Sequence, residues 1–198
     1  MDSPDLPDEG WLSFEDTPFH TGPHMDFLKK IAEVLLLPAW TGNQREMLFA
    51  ICLPAGDLEW AVQLFHSAEP DDPAYCHYFL IASMPDKKVG DPDNGVKVQR
   101  MEAEVSEEIA TALYQTWRTM LQRITPHRST ECEERTYHFA CDCRLLSGQT
   151  WSPMEDTPAE RLILLSEAPY AFPQSPEALR TELASRILAT TNWFKTLN

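Results

Sequence analysis

RTYHFACDCRLLSGQTWSP, residues Arg135–Pro153, gathers a Tyr, a His, a Phe, two cysteines, a glycine and a Trp-Ser-Pro exit into one span. Its periodicity decides the fold. From Thr136 to Cys143 the side chains alternate. Tyr137, Phe139, Cys141 and Cys143 fall on one side; Thr136, His138, Ala140 and Asp142 fall on the other. A period of two is the mark of a strand with one face buried. Ser147-Gly148 then reads as a turn, and Gln149-Thr150-Trp151 as a short return strand stopped by Pro153. The span is thus expected to be a central strand and turn that locks two halves of a fold together, with His138 and Asp142 on its exposed face.

Upstream, four runs share that strand character. Glu46–Leu53 is short and almost wholly apolar, as in a buried strand. Leu58–Ser67 alternates, Tyr75–Met84 is aromatic and apolar, and Val96–Val105 alternates again. The connections are short and polar, which predicts an antiparallel meander. Ser106 with Glu107 and Glu108 then opens a helix whose apolar stripe runs through Ile109, Leu113, Trp117, Met120, Leu121 and Ile124, ended by Pro126. Downstream, Thr157-Pro158-Ala159-Glu160 is a cap followed by a proline at the first helical position, predicting a helix that ends near Pro169. Ser175-Pro176-Glu177 repeats that start for a last helix striped by Leu179, Leu183, Ile187 and Phe194. A further helix is expected over His24–Leu37, with Thr41-Gly42-Asn43 turning after it.

The fold class expected is α+β: an antiparallel sheet of five or six strands, with three or four helices packed mainly on one face. Residues 24–198 form one such domain. Met1–Pro23 is expected to be an acidic, proline-rich arm through which Trp11, Phe14 and Phe19 are scattered, with one or two aromatic anchors docking it on the body.

Composition narrows the function classes. The chain has 198 residues, 31 acidic against 16 basic, for a net charge of −15. Such a balance disfavours nucleic acid and anionic membrane surfaces, whose binding needs cations. It favours solubility and, through complementary fields, association with a basic protein. Met1–Asp16 carries six acids and no base, the reverse of a secretory leader, and no apolar run is long enough to span a bilayer. Five cysteines without secretory context fit reduced thiols. The expected compartment is the cytoplasm.

Candidate chemistry is sparse. Cys141-x-Cys143, with Cys132 and His138 nearby, has zinc-ligand residue types, but strand alternation sends His138 away from both sulfurs and toward the opposite face. A cysteine nucleophile would need a base such as His66, His77 or His127 brought near through space. Asp91-Pro92-Asp93-Asn94-Gly95 lacks the calcium-loop spacing, and there is no glycine-rich phosphate loop or HExxH helix. No catalytic set, metal or cofactor is therefore expected. Tryptophan is enriched at interface hot spots. Trp60 and Trp117 fall in a strand and on a helix stripe, as core residues would; Trp11, Trp40, Trp151 and Trp193 lie near element ends.

Tyr137-His138-Phe139, Gly148-Gln149-Thr150-Trp151-Ser152-Pro153 and the Leu-rich Leu162–Leu165 together resemble a group of bacterial proteins with a Tyr-x-Phe strand, a glycine turn and a Thr-Trp-Ser-Pro motif. Glu133-Glu134 stand where that group carries an Asp-Gly turn. The resemblance implies a fold element, with no established activity to carry over.

The function expected is a non-enzymatic protein-binding module, in an immunity-like role whose acidic surface binds a basic partner. His138, Asp142, Trp151, Trp11 and Trp40 are its candidate binding residues. Two alternatives stand beside it: an enzyme with a cleft near His138 and Asp142, and a structural, oligomer-forming protein. A deep pocket with convergent polar groups favours the enzyme; a broad acidic or aromatic surface favours binding.

Overall fold

The computed structural model describes residues 23–68, 76–89, 95–123, 135–151 and 155–197. Most of the N-terminal arm with Trp11, the Asp91–Asn94 turn, His127 and Cys132 lie outside them.

The apolar run at Glu46 forms the middle of β2 (Gln44–Pro54). Because β2 is buried on both faces, its sequence reads as nearly continuous apolar residues rather than as an alternation. It pairs on one side with β3 (Trp60–Ala68), then β4 (Cys76–Pro85) and β5 (Val98–Val105), the expected meander. On its other side lies β6 (Arg135–Cys141), followed by β7 (Leu146–Trp151). All pairings are antiparallel, in the order β5-β4-β3-β2-β6-β7, and a two-residue β1 (Trp40–Thr41) also pairs with β2. The late strand β6 thus sits next to the first long strand and joins the two halves of the chain, with Leu48 opposite Cys141 and Ala50 opposite Phe139.

Among the described residues, three helices cover one face: α2 (Glu107–Leu121), α3 (Pro158–Gln174) and α4 (Glu177–Lys195). Leu48, Ala50, Val62, Leu64, Leu80, Tyr137 and Phe139 from the sheet meet Leu113, Trp117, Leu162 and Ile187 from these helices in the main core. The remaining helix, α1 (Pro23–Leu35), covers the other face, where Ile31, Leu35 and Leu36 pack on Phe49, Ile51, Ala61 and Val89. The α+β class and the one-sided majority of helices follow the sequence expectation.

Local chemistry explains the helix ends. The Ser106 hydroxyl accepts from the Ile109 amide at 3.4 Å and caps α2. Thr157 caps α3 by accepting from the Glu160 amide at 3.3 Å. That helix does not end near Pro169. It runs to Gln174 through Pro169 and Pro173, both buried. An interior proline costs a helix about 3 kcal/mol. Here the continuing helix buries Leu162, Leu165, Ala168 and Phe172 against the sheet, which offsets that cost. Arg180 then closes α3, its Nε donating to the Phe172 and Ser175 carbonyls at 3.2 and 3.0 Å. Ser175 does not cap α4; its hydroxyl donates back to Ala171 O, and Pro176 stands at the α4 cap without a side-chain bond.

Candidate interaction site

The strand alternation that placed Asp142 beside His138 stops at Cys141. Asp142, Cys143 and Arg144 follow with φ of 54°, 54° and 72°, three successive non-glycine residues in the left-handed region. Such residues cost about 1–2 kcal/mol each, so the turn persists only because its surroundings hold it. The Asp142 amide donates to Met47 O at 3.1 Å, and the Leu145 amide returns to Asp142 O at 3.3 Å. The Tyr114 hydroxyl donates to the Asp142 carboxylate, and Arg118 Nε lies 3.6 Å from its other oxygen. Asp142 therefore turns toward α2. His138 stays on the α1 side of β6 and is only 3% exposed. The expected exposed strand face holding both residues does not form, because the left-handed turn breaks the alternation and α1 covers that side of the sheet. Gly148 is likewise not a turn residue: it lies within β7 opposite Phe139.

Arg144 points into the protein. Its Nε donates to Glu46 Oε1 at 3.1 Å and one terminal nitrogen to Oε2 at 3.3 Å, while Glu46 is 1% exposed. Gln63 donates to the same carboxylate and holds Leu37, accepting from its amide at 2.7 Å and donating to its carbonyl at 3.1 Å. The Leu37 carbonyl also accepts from Arg144 at 3.3 Å. A buried charge tolerates its location only when paired and hydrogen-bonded this fully. The network ties the segment after α1 to β2, β3 and the β6–β7 turn.

Outside this network lies a surface. A turn at Gly42, whose φ is +63°, pairs Trp40 with Arg45 across β1 and β2. The Arg45 guanidinium lies over the Trp40 ring, 5.2 Å from its centroid, and its Nε–H donates to Cys143 Sγ at 3.4 Å. Trp40 is 62% exposed, and Leu145, at the tip of the same left-handed turn, is 83% exposed. Of the candidate binding residues, Trp40 and Asp142 are thus brought to one end of the sheet. Trp151 is set at the far end of the β6–β7 hairpin, paired with Thr136, and His138 is set inside. Arg45, Leu145 and Tyr114 were missed by sequence reasoning. The Thr41-Gly42-Asn43 turn was the signal available for Arg45, since a hairpin there places it opposite Trp40.

Cys143 thus leaves the strand face it was expected to share with Cys141. Cys141 and Cys52 lie in the main core. Burial pushes the Cys52 thiol up to about 11, with Tyr137, Arg135, Glu167 and Asp57 as smaller influences. Burial, then Asp142, pushes Cys141 to about 12. Both raised values mean that the folded protein keeps protons which the unfolded chain, at its ordinary 9.0, has released. The stabilisation is complete below pH 9.0 and is lost as pH rises through about 11 to 12. Thermal unfolding followed across that range should show a falling Tm. A Cys52→Ala/Cys141→Ala variant should fall less steeply; equal slopes would remove the thiols as the cause.

A second surface feature sits where β5 enters α2. Glu102, Glu104, Glu107 and Glu108 are all exposed within seven residues. Beside them an open groove of about 420 Å³ runs between α2 and α4, lined by Glu107, Glu108, Ala112, Gln115, Leu188 and Lys195 among others. Among the described residues no group of three or more metal-ligating side chains converges, and no helix is long and apolar enough to cross a membrane. No protein-family model, curated protein or solved structure matches this chain.

Proposed function

We propose that this protein is a non-enzymatic binding module that associates with a basic protein partner. One observation carries the proposal: the exposed carboxylates of Glu102, Glu104, Glu107 and Glu108 are concentrated at the β5–α2 corner of a chain whose net charge is −15. Although Lys195 lines the adjoining groove and His77 Nδ1 lies 2.7 Å from Glu104 Oε1, acid predominates, and an acidic patch raises the rate of encounter with an oppositely charged surface and disfavours acidic competitors. Charges on an edge strand such as β5 also block edge-to-edge pairing of sheets. Glu102 and Glu104 serve that role as well.

The test is a binding titration against a panel of basic proteins at low and high salt. Screening shortens the reach of such a field to about 8 Å at physiological ionic strength, so affinity should fall steeply as salt rises. Glu102→Gln, Glu104→Gln, Glu107→Gln and Glu108→Gln combined should slow association by about tenfold in a protein that remains folded, with a small fall in Tm from the loss of two first-turn acids of α2. Binding that is indifferent to salt and to these four changes would refute the proposal.

A further inference from the structure

Arg45 differs from the other arginines around it. Arg118 and Arg144, which reach the same β6–β7 turn, each lie within 4.0 Å of a carboxylate. Arg45 makes no ion pair among the described residues, in a chain with 31 acids. Its side chain is exposed yet held at two points, by the Trp40 ring under Cζ and by Cys143 Sγ at Nε. Asp142 is within electrostatic reach of Arg45, but its oxygens are engaged by Tyr114 and Arg118. That leaves two terminal nitrogens side by side, in the fork geometry that matches a carboxylate. Holding the fork in place removes part of the entropy cost of using it. Exposed Trp40 lies against it, exposed Leu145 is two residues from Cys143 in the same turn, and Trp and Arg are residue types enriched at interface hot spots.

We infer that Arg45 is a recognition site for one carboxylate of a protein partner, borne on a side chain with an apolar neighbour that packs on Trp40 and Leu145. This rests on the proposed association with a basic protein. The net charge of −15 repels a small anionic ligand. A basic partner is drawn in by the acidic surface and can present a single Asp or Glu at close range. Long-range attraction then sets the rate of encounter, and the Arg45 fork sets the register and the residence time.

The experiment uses the full chain and two synthetic probes, Lys-Lys-Leu-Asp-Leu-Lys-Lys and the same peptide with Asn in place of Asp, in a calorimetric titration with amide shifts recorded in parallel. A charge-assisted bidentate pair should make the Asp peptide bind about tenfold tighter than the Asn peptide, with shifts at Trp40, Arg45 and Leu145. Arg45→Lys keeps the charge but loses the fork; it should abolish that preference while Tm stays the same. Trp40→Ala should weaken both peptides. If both peptides bind with salt dependence but without discrimination, or Arg45→Lys leaves the discrimination intact, the carboxylate site is overturned and the acidic-surface proposal survives. If neither peptide binds at low salt, both fail.

Discussion

Replacing Trp117 with alanine should cost about 3–5 kcal/mol and lower Tm by roughly 6–20 °C. Trp117 is fully buried at 0% exposure in the core between α2 and the sheet. It meets Phe139 edge-on at 5.8 Å between centroids, and its Nε1–H donates to Phe49 O at 3.2 Å. Truncation removes the ring, opens a cavity under β2 and β6, and takes away that donor. The two effects separate experimentally. Trp117→Phe keeps most of the volume and loses only the donor, so it should cost about 1–2 kcal/mol. Chemical denaturation of both variants decides this. Equal losses would mean that the hydrogen bond, and not the packing of the ring, holds α2 to the sheet here.

Arg144→Ala should be comparably severe, at about 3–5 kcal/mol, because it leaves Glu46 charged and buried with Gln63 as its remaining donor. Removing the charge as well should recover part of the loss. Arg144→Ala with Glu46→Gln is therefore expected to be more stable than Arg144→Ala alone, and a double-mutant cycle measures the coupling. The backbone supplies an independent check. Residue 144 sits at φ 72°, a conformation glycine adopts without strain, so Arg144→Gly should be more stable than Arg144→Ala by about 1 kcal/mol. Denaturation midpoints that place the alanine variant above the glycine variant would contradict the left-handed turn.

Periodicity carried most of the architecture. Alternation identified β3, β5 and β6, the uninterrupted apolar run marked β2 as two-sided, and the α2 stripe named residues that are buried against the sheet. What it missed has physical causes. Alternation assigns faces only while the backbone is extended, and no glycine or asparagine announces the left-handed turn at Asp142–Arg144; tertiary bonds to Met47, Tyr114 and Glu46 impose it. Pro169 reads locally as a stop, yet the apolar area that α3 buries overrides it. Glu46 opens an apolar run and gives no local sign that its partner is Arg144. The candidate surface was half visible: Trp40 was named, but Arg45 and Leu145 acquire meaning only when two turns far apart in sequence converge.

That convergence has a consequence for how the protein is made. Glu46 and Cys143 touch although they are 97 positions apart. A ribosome adding about 5–20 residues per second takes roughly 5–20 s to cover that distance. During that interval β2 exists without β6, one row of its backbone amides and carbonyls unclaimed and its apolar flank open to water. The nascent chain is therefore most vulnerable to aggregation, and most in need of a chaperone, after α2 has emerged and before Cys141 has. Synonymous codon changes that slow translation between those points should lower soluble yield without altering the stability of the finished protein.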